Sequence, residues 1–209
     1  MSADKIRTSV IKTLNQICIQ ISANNGTGAG GARTNAVGKS FEHLTSNEPR
    51  LIENGFVKTT MSNGKYGYYL SKQFDNSRII FVSQGGLKVY LKTIHSITIF
   101  QEPDEAYIIE HSNGQLFLKI LEKKAQNGPG SVDTKLKAGP TVREEYQRIL
   151  GKKWTVQYAF CINQYLQHQM VQPKWTIFKE IMAEQNIPLL FGDETAYFET
   201  LDNWIEQLD

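Results

Sequence analysis

The sequence predicts an α/β fold, a mixed central sheet flanked by helices. Short apolar, β-rich segments recur along the chain. Two of them, Ala106–Glu110 and Gln115–Lys124, flank His-Ser-Asn-Gly, a hairpin turn signal. A helical pattern over Thr141–Leu150 then precedes a further strand, and strand–helix–strand is a parallel crossover unit.

In chain order, the first 21 residues carry Ile6, Val10, Leu14, Ile17 and Ile21 at helical spacing, which predicts an amphipathic helix. Lys12, Asn15, Gln16 and Gln20 interrupt any apolar run there, so it does not read as a signal peptide. Asn24–Ala32, NNGTGAGGA, reads as a flexible loop, and Lys39–Glu53 as a helix. Lys65–Ser71 and Ser77–Val82 are the first two predicted strands, and the hairpin supplies the next two. Trp154–Asn163 is the fifth. Helices follow over Pro173–Gln185 and over Glu194–Leu208, where Tyr197, Leu201, Trp204, Ile205 and Leu208 form one stripe. A short strand, Pro188–Phe191, separates them. With 209 residues the chain suffices for one sizeable core, so a single domain is expected.

No run is long and apolar enough to cross a bilayer, and no membrane partner is expected. Cys18 and Cys161 sit inside apolar segments and read as buried, reduced thiols, which fits a cytoplasmic protein. The net charge is +2, but it is uneven. From Glu180 onward there are eight acids and no Lys or Arg, which leaves an excess of ten positive charges on the rest. Such a body suits contact with a polyanion.

The stretch Gly30–Thr45, GGARTNAVGKSFEHLT, contains Gly38-Lys39-Ser40, the tail of a phosphate-binding loop. That loop needs a glycine five positions before Gly38, after a strand, so that backbone amides can close on phosphates. Arg33 stands there, the preceding element reads as a helix, and no strand ending in Asp follows to hold magnesium. No nucleotide cofactor is expected. The segment reads as a glycine-rich loop leading into a helix.

More chemistry lies in Glu102–Leu136. Side chains alternate faces along a strand, so Leu118, Ile120, Glu122 and Lys124 share one face of Gln115–Lys124, and Phe117, Lys119, Leu121 and Lys123 share the other. Buried charge without partners costs several kcal/mol, so such a strand end opens to solvent or meets a metal and an anion. Asp104, just before the partner strand, can lie beside Glu122. Two close carboxylates repel, and a divalent cation removes the conflict. Magnesium takes a few carboxylate oxygens, waters and a substrate phosphate. A lysine two residues after the glutamate can reach the scissile phosphate. This is a constellation for metal-assisted phosphodiester hydrolysis.

Pro103-Asp104, a hairpin, then Glu122-Lys123-Lys124 resembles the PD-(D/E)xK nuclease superfamily, and the wording PDEAYI…KILEKKAQNGPGSVDTKL resembles its type II restriction endonucleases in particular. The resemblance covers roughly residues 35 to 165. It implies a restriction-endonuclease-like core, with an acidic helical part from about 173 to 209 outside it. It implies Mg2+ held by Asp104, Glu122 and Glu42, the last from an early helix, with Lys124 and Gln126 completing the catalytic set. It further implies water attack in line at phosphorus, a 5′-phosphate product, and a homodimer cutting both strands of double-stranded DNA at a short palindrome. Alternative readings are a repair or recombination nuclease of the same fold, or an inactive DNA-binding module. The four histidines lack zinc-ligand spacing.

On this reading, Arg33, Asn35, Lys39 and Ser40 are DNA-contact candidates. Arg33 and Asn35 are suited to guanine and adenine edges, and Lys39 to phosphate. Gly128–Trp154 reads as a loop before the crossover helix, in which Ser131, Lys135, Lys137, Arg143 and Lys152 bring donors to the side of the site.

Overall fold

The computed structural model describes residues 31–128 and 132–207, with side chains from Val37 onward. The expected N-terminal helix, Cys18, most of the Asn24–Ala32 loop, Ser131 and the side chains of Arg33 and Asn35 lie outside the described residues. By contact the chain divides into two units, Met1–Ala36 and Val37–Asp209, and the sheet belongs to the second.

Among the described residues, seven strands stand side by side in chain order: β1 (Val57–Thr60), β2 (Tyr68–Gln73), β3 (Ser77–Ser83), β4 (Glu105–His111), β5 (Leu116–Lys124), β6 (Trp154–Ile162) and β7 (Leu189–Phe191). β1 to β5 form an antiparallel meander, while β6 runs parallel to β5 and β7 parallel to β6. The sheet is therefore mixed, as expected, and its change from antiparallel to parallel falls at the strand carrying Glu122 and Lys124.

Alternation along the strands builds two core layers. Ile80, Val82, Ala106, Ile108, Leu118, Ile120, Val156 and Tyr158 face one way, against α3 (Gly86–His95), α4 (Val132–Leu150) and α6 (Thr176–Glu184). Phe81, Tyr107, Leu121, Ala159 and Cys161 face the other, against α1 (Gly31–Leu44), α2 (Glu48–Glu53) and α7 (Tyr197–Glu206). A short helix, α5 (Gln164–Gln169), follows β6 and is capped by the Asn163 side chain, which accepts from the Leu166 amide. Cys161 is fully buried and unpaired, and burial pushes its thiol up to about 12.

The structure corrects several boundaries. The expected helix Lys39–Glu53 is broken between Leu44 and Glu48. Pro49 has no N–H to offer the Thr45 carbonyl four residues back. That carbonyl instead accepts from Lys123 Nζ at 3.0 Å and Tyr197 Oη at 3.4 Å. Upstream, Gly31–Gly38 is helical rather than loop. No heavy atom lies within 4 Å of where a Gly38 Cβ would stand, so packing does not demand that glycine. The crossover helix begins at Val132, not Thr141, and runs through Pro140. An interior proline costs about 3 kcal/mol, but Val132, Leu136, Gly139, Pro140, Tyr146 and Leu150 bury one continuous stripe. Gly139 is required there, because a Cβ would stand 2.5 Å from the Phe160 ring. β1, α3 and α5 were not expected. β1, VKTT, is exposed at every position and carries no alternation to read, whereas α3 buries Leu87, Tyr90 and Leu91 on a helical stripe.

Candidate active site

β5 carries four charged side chains among its apolar ones, and each has a partner. Lys119 is fully buried and donates to the Trp204 carbonyl at 2.5 Å and to the Gln207 carbonyl. These lie at the end of α7, where the helix dipole favours a cation, and burial pushes the Lys119 ammonium down to about 8. Lys123 points to the same face. Its ammonium meets Glu105 at 2.6 Å, with both side chains almost wholly enclosed, and donates to the Thr45 carbonyl. Glu105 also accepts from the Asn47 amide at 3.0 Å and from the Tyr107 hydroxyl at 2.8 Å. This network ties the end of α1 and the start of α2 to the sheet, and so sets where Glu42 stands.

Glu122 and Lys124 occupy the opposite face. Asp104 stands one step before β4 and, continuing the Glu105–Leu121 pairing, comes opposite Glu122. Its Oδ2 accepts from the Lys123 backbone amide at 2.7 Å, which fixes the carboxylate against the end of β5. The Lys124 ammonium lies 2.5 Å from Glu122 Oε2 and 3.4 Å from Asp104 Oδ2. Thus the hairpin brings Asp104, Glu122 and Lys124 together, at 18 to 20% side-chain exposure. That is enough access for a ligand and little enough water to strengthen charge interactions. Burial pushes the Glu122 carboxyl up to about 7; Asp104 adds to the rise and Lys124 opposes it. For Lys124, burial pulls downward, but Glu122 and then Asp104 outweigh it and hold the ammonium above its ordinary value.

Glu42, half-buried on α1, lies in the same field. Burial first, and Asp104 second, raise its carboxyl, while Lys124, Lys123 and Lys39 oppose. Lys39 is exposed one turn earlier, and Ser40 is half-buried. Gln126 is buried, and its Oε1 has no hydrogen-bond partner among the described residues. Asn163 clamps the chain there: its Oδ1 accepts from the Gln126 amide at 3.3 Å and its Nδ2 donates to the Gln126 carbonyl at 3.0 Å. Lys135 is exposed on the first turn of α4, and Lys137 further along it. Arg143 donates Nε to the Val156 carbonyl at 3.2 Å, so part of its guanidinium serves packing. Lys152 is a correction: it precedes β6, whose start pairs with the start of β5, so it lies at the opposite end of the sheet from Glu122.

Three residues escaped the sequence reading. Asn163 is one. Tyr146, on α4, has a buried hydroxyl with no hydrogen-bond partner among the described residues, and Tyr158 sits in β6 opposite Ile120. Burial and the nearby Glu122 charge raise both phenols, so they back the site as neutral hydroxyls. Nothing in their local sequence marks them, because a tyrosine in an apolar strand or stripe reads as core.

Among the described residues, no group of three or more His, Cys, Asp or Glu is placed to hold a metal ion, so Asp104, Glu122 and Glu42 do not form a closed ligand set. What the hairpin end offers is two carboxylates and, two residues past Lys124, a buried amide oxygen with no partner among the described residues. These are hard oxygen donors of the kind magnesium accepts when phosphate and water supply the rest. A concavity of about 570 Å3, lined in part by Met182, Pro188 and Trp204, contains none of these residues. Compared with protein-family models, curated proteins and solved structures, the chain matches none. No helix among the described residues is long and apolar enough to cross a membrane.

Proposed function

We propose that the protein is a magnesium-dependent endonuclease of the type II restriction class, cutting double-stranded DNA at a short, palindromic sequence as a homodimer. The observation that carries this reading is the convergence of Asp104 and Glu122 on Lys124 at the end of one hairpin, with Glu122 poised near neutrality.

Asp104 and Glu122 would hold the magnesium ion; once bound, it supplies Lewis-acid polarisation and a nucleophile at neutral pH. Bringing a scissile phosphate to the hairpin end gives Lys124 an anion to exchange for Glu122, and its ammonium then faces the negative charge that develops on the phosphoryl oxygens. Asp104, anchored by the Lys123 amide, stays in place during that exchange. The Gln126 side-chain oxygen, without a partner among the described residues, is an acceptor able to orient the attacking water. Glu42 acts from the side, and its effect is smaller. Lys39 and Lys135, both exposed, contribute phosphate contacts.

A plasmid digest with and without magnesium tests this. Discrete fragments are expected only with the metal, and Asp104→Ala, Glu122→Ala or Lys124→Ala should each lower cutting by roughly a hundredfold or more, in the range general acid–base and electrostatic groups contribute. Undiminished cleavage by Glu122→Ala would remove the site. A smear in place of bands would point to a general nuclease.

A further inference from the structure

Resting on that reading, we propose that the β1–β2 hairpin is a second DNA-contact arm, which engages the duplex several nucleotides from the cut. Residues 54 to 74 hold Lys58, Lys65 and Lys72 and no acid. The stretch is rich in aromatics, Phe56, Tyr66, Tyr68, Tyr69 and Phe74. β1 is exposed along its whole length, and among the described residues no strand pairs with its outer edge. No core explains such a strand; it contributes almost nothing to burial.

The lysines are held ready rather than neutralised. Lys58 Nζ lies 3.6 Å from the centroid of the Tyr68 ring, and Lys65 Nζ 4.7 Å from that of Tyr66. Tyr68 is fixed in turn by donating its hydroxyl to Glu48 at 2.7 Å. No ion pair among the described residues involves Lys58 or Lys65. A cation resting on an aromatic face keeps its charge and loses little freedom when a phosphate arrives. Lys72 is different: it donates to the Asn54 carbonyl at 2.8 Å and steadies the base of the hairpin.

The turn between the strands is built. The Met61 and Ser62 amides both donate to the Gly67 carbonyl, at 2.6 and 3.0 Å, and the Gly67 amide donates to the Gly64 carbonyl at 2.9 Å. A Cβ on Gly67 would stand 2.3 Å from the Ser62 carbonyl oxygen, so only glycine fits. The turn presents Ser62, Asn63 and Lys65 to solvent. A two-stranded ribbon is narrow enough to enter a major groove, where Asn and Lys match adenine and guanine edges.

Topology aims the arm. Thr60 pairs with Tyr68, and Ser83 pairs with Glu105, so the turn lies at the same end of the sheet as Asp104. Tyr66 and Glu102, the latter two residues from Asp104, both border Gly85: a Gly85 Cβ would lie 3.4 Å from Tyr66 and 3.8 Å from the Glu102 carboxyl. Four strand spacings separate β1 from β5, about 19 Å at ~4.8 Å each. With phosphates ~3.4 Å apart per strand along the helix axis, a cut at Glu122 places the arm about five or six nucleotides away.

The test is fluorescence-anisotropy titration of the whole protein on a labelled mixed-sequence duplex in calcium, from about 50 to 200 mM salt. Lys58→Ala/Lys65→Ala is expected to flatten the log–log salt dependence by about two units. Lys152→Ala/Lys153→Ala, equal in charge but at the far end of the sheet, should leave it unchanged. Asn63→Ala is expected to narrow the gap between cleaved and scrambled duplexes by roughly tenfold. Equal slopes in the two double variants, whether both changed or both wild type, would overturn the arm while leaving the nuclease reading intact. Wild-type protein that binds no duplex and cuts none would overturn the nuclease reading, and the arm with it.

Discussion

Replacing Glu122 by Gln removes one titration from the folded protein, and the size of the effect follows from the site. The carboxyl is pushed from 4.5 to about 7 in the fold. The folded state therefore binds this proton more tightly than the unfolded state, so its contribution is fully present below the unfolded value of 4.5 and is lost as pH rises through about 7. The linkage relation makes this a loss on the order of 2–3 kcal/mol for the wild type between pH 5 and pH 8 from this group. The side chain is 18% exposed, so solvent screening discounts the figure only modestly. Glu122→Gln keeps the shape and the pairing of Asp104 with Lys124 but cannot titrate. Urea unfolding at intervals from pH 5 to pH 8 should show the wild type falling relative to the variant by about that amount, with most of the fall below pH 7 and a plateau above it. Comparing the two proteins cancels titrating groups that Glu122 does not touch, including His95, which burial shifts downward, and Glu42. Stability curves that run parallel across this range would refute the claim that Glu122 is held half-ionised at neutral pH.

Lys123→Met strands the Glu105 carboxylate inside the protein and should cost about 3–5 kcal/mol, whereas Lys123→Met/Glu105→Leu should recover much of that loss; chemical denaturation of the two variants checks it. Gly139→Ala forces a methyl against the Phe160 ring, and a melting-temperature loss equivalent to about 1–3 kcal/mol is expected.

How far the sequence alone reaches is clearest on β5. Periodicity two and the His-Ser-Asn-Gly turn were enough to place the β4–β5 hairpin, to put Glu122 and Lys124 on one face, and to bring Asp104 beside them. These are local rules, and a strand pair obeys them wherever it sits. The crossover helix and the parallel β5–β6 pair follow from connection length and handedness, which are also local. The same rules fail where a partner distant in sequence decides. α1 and α2 separate because Pro49 frees the Thr45 carbonyl, and Lys123 and Tyr197 come from far along the chain to take it. Pro140 stays inside a helix because β6 offers that stripe a surface, with Phe160 fitted against Gly139. β1 exists because β2 offers an edge, not because Val-Lys-Thr-Thr prefers to be a strand.

Charge divides in the same way. Sequence assigns Lys119, Lys123 and Lys124 to faces but not to tasks. One ends a helix, one closes a buried ion pair and one stands between two carboxylates, and only the packing of α7, α1 and β4 around β5 tells them apart. Local pattern sets which way a side chain points. Tertiary structure sets what it meets there and how much water remains, and on those depend the protonation of Glu122 and the chemistry open to it.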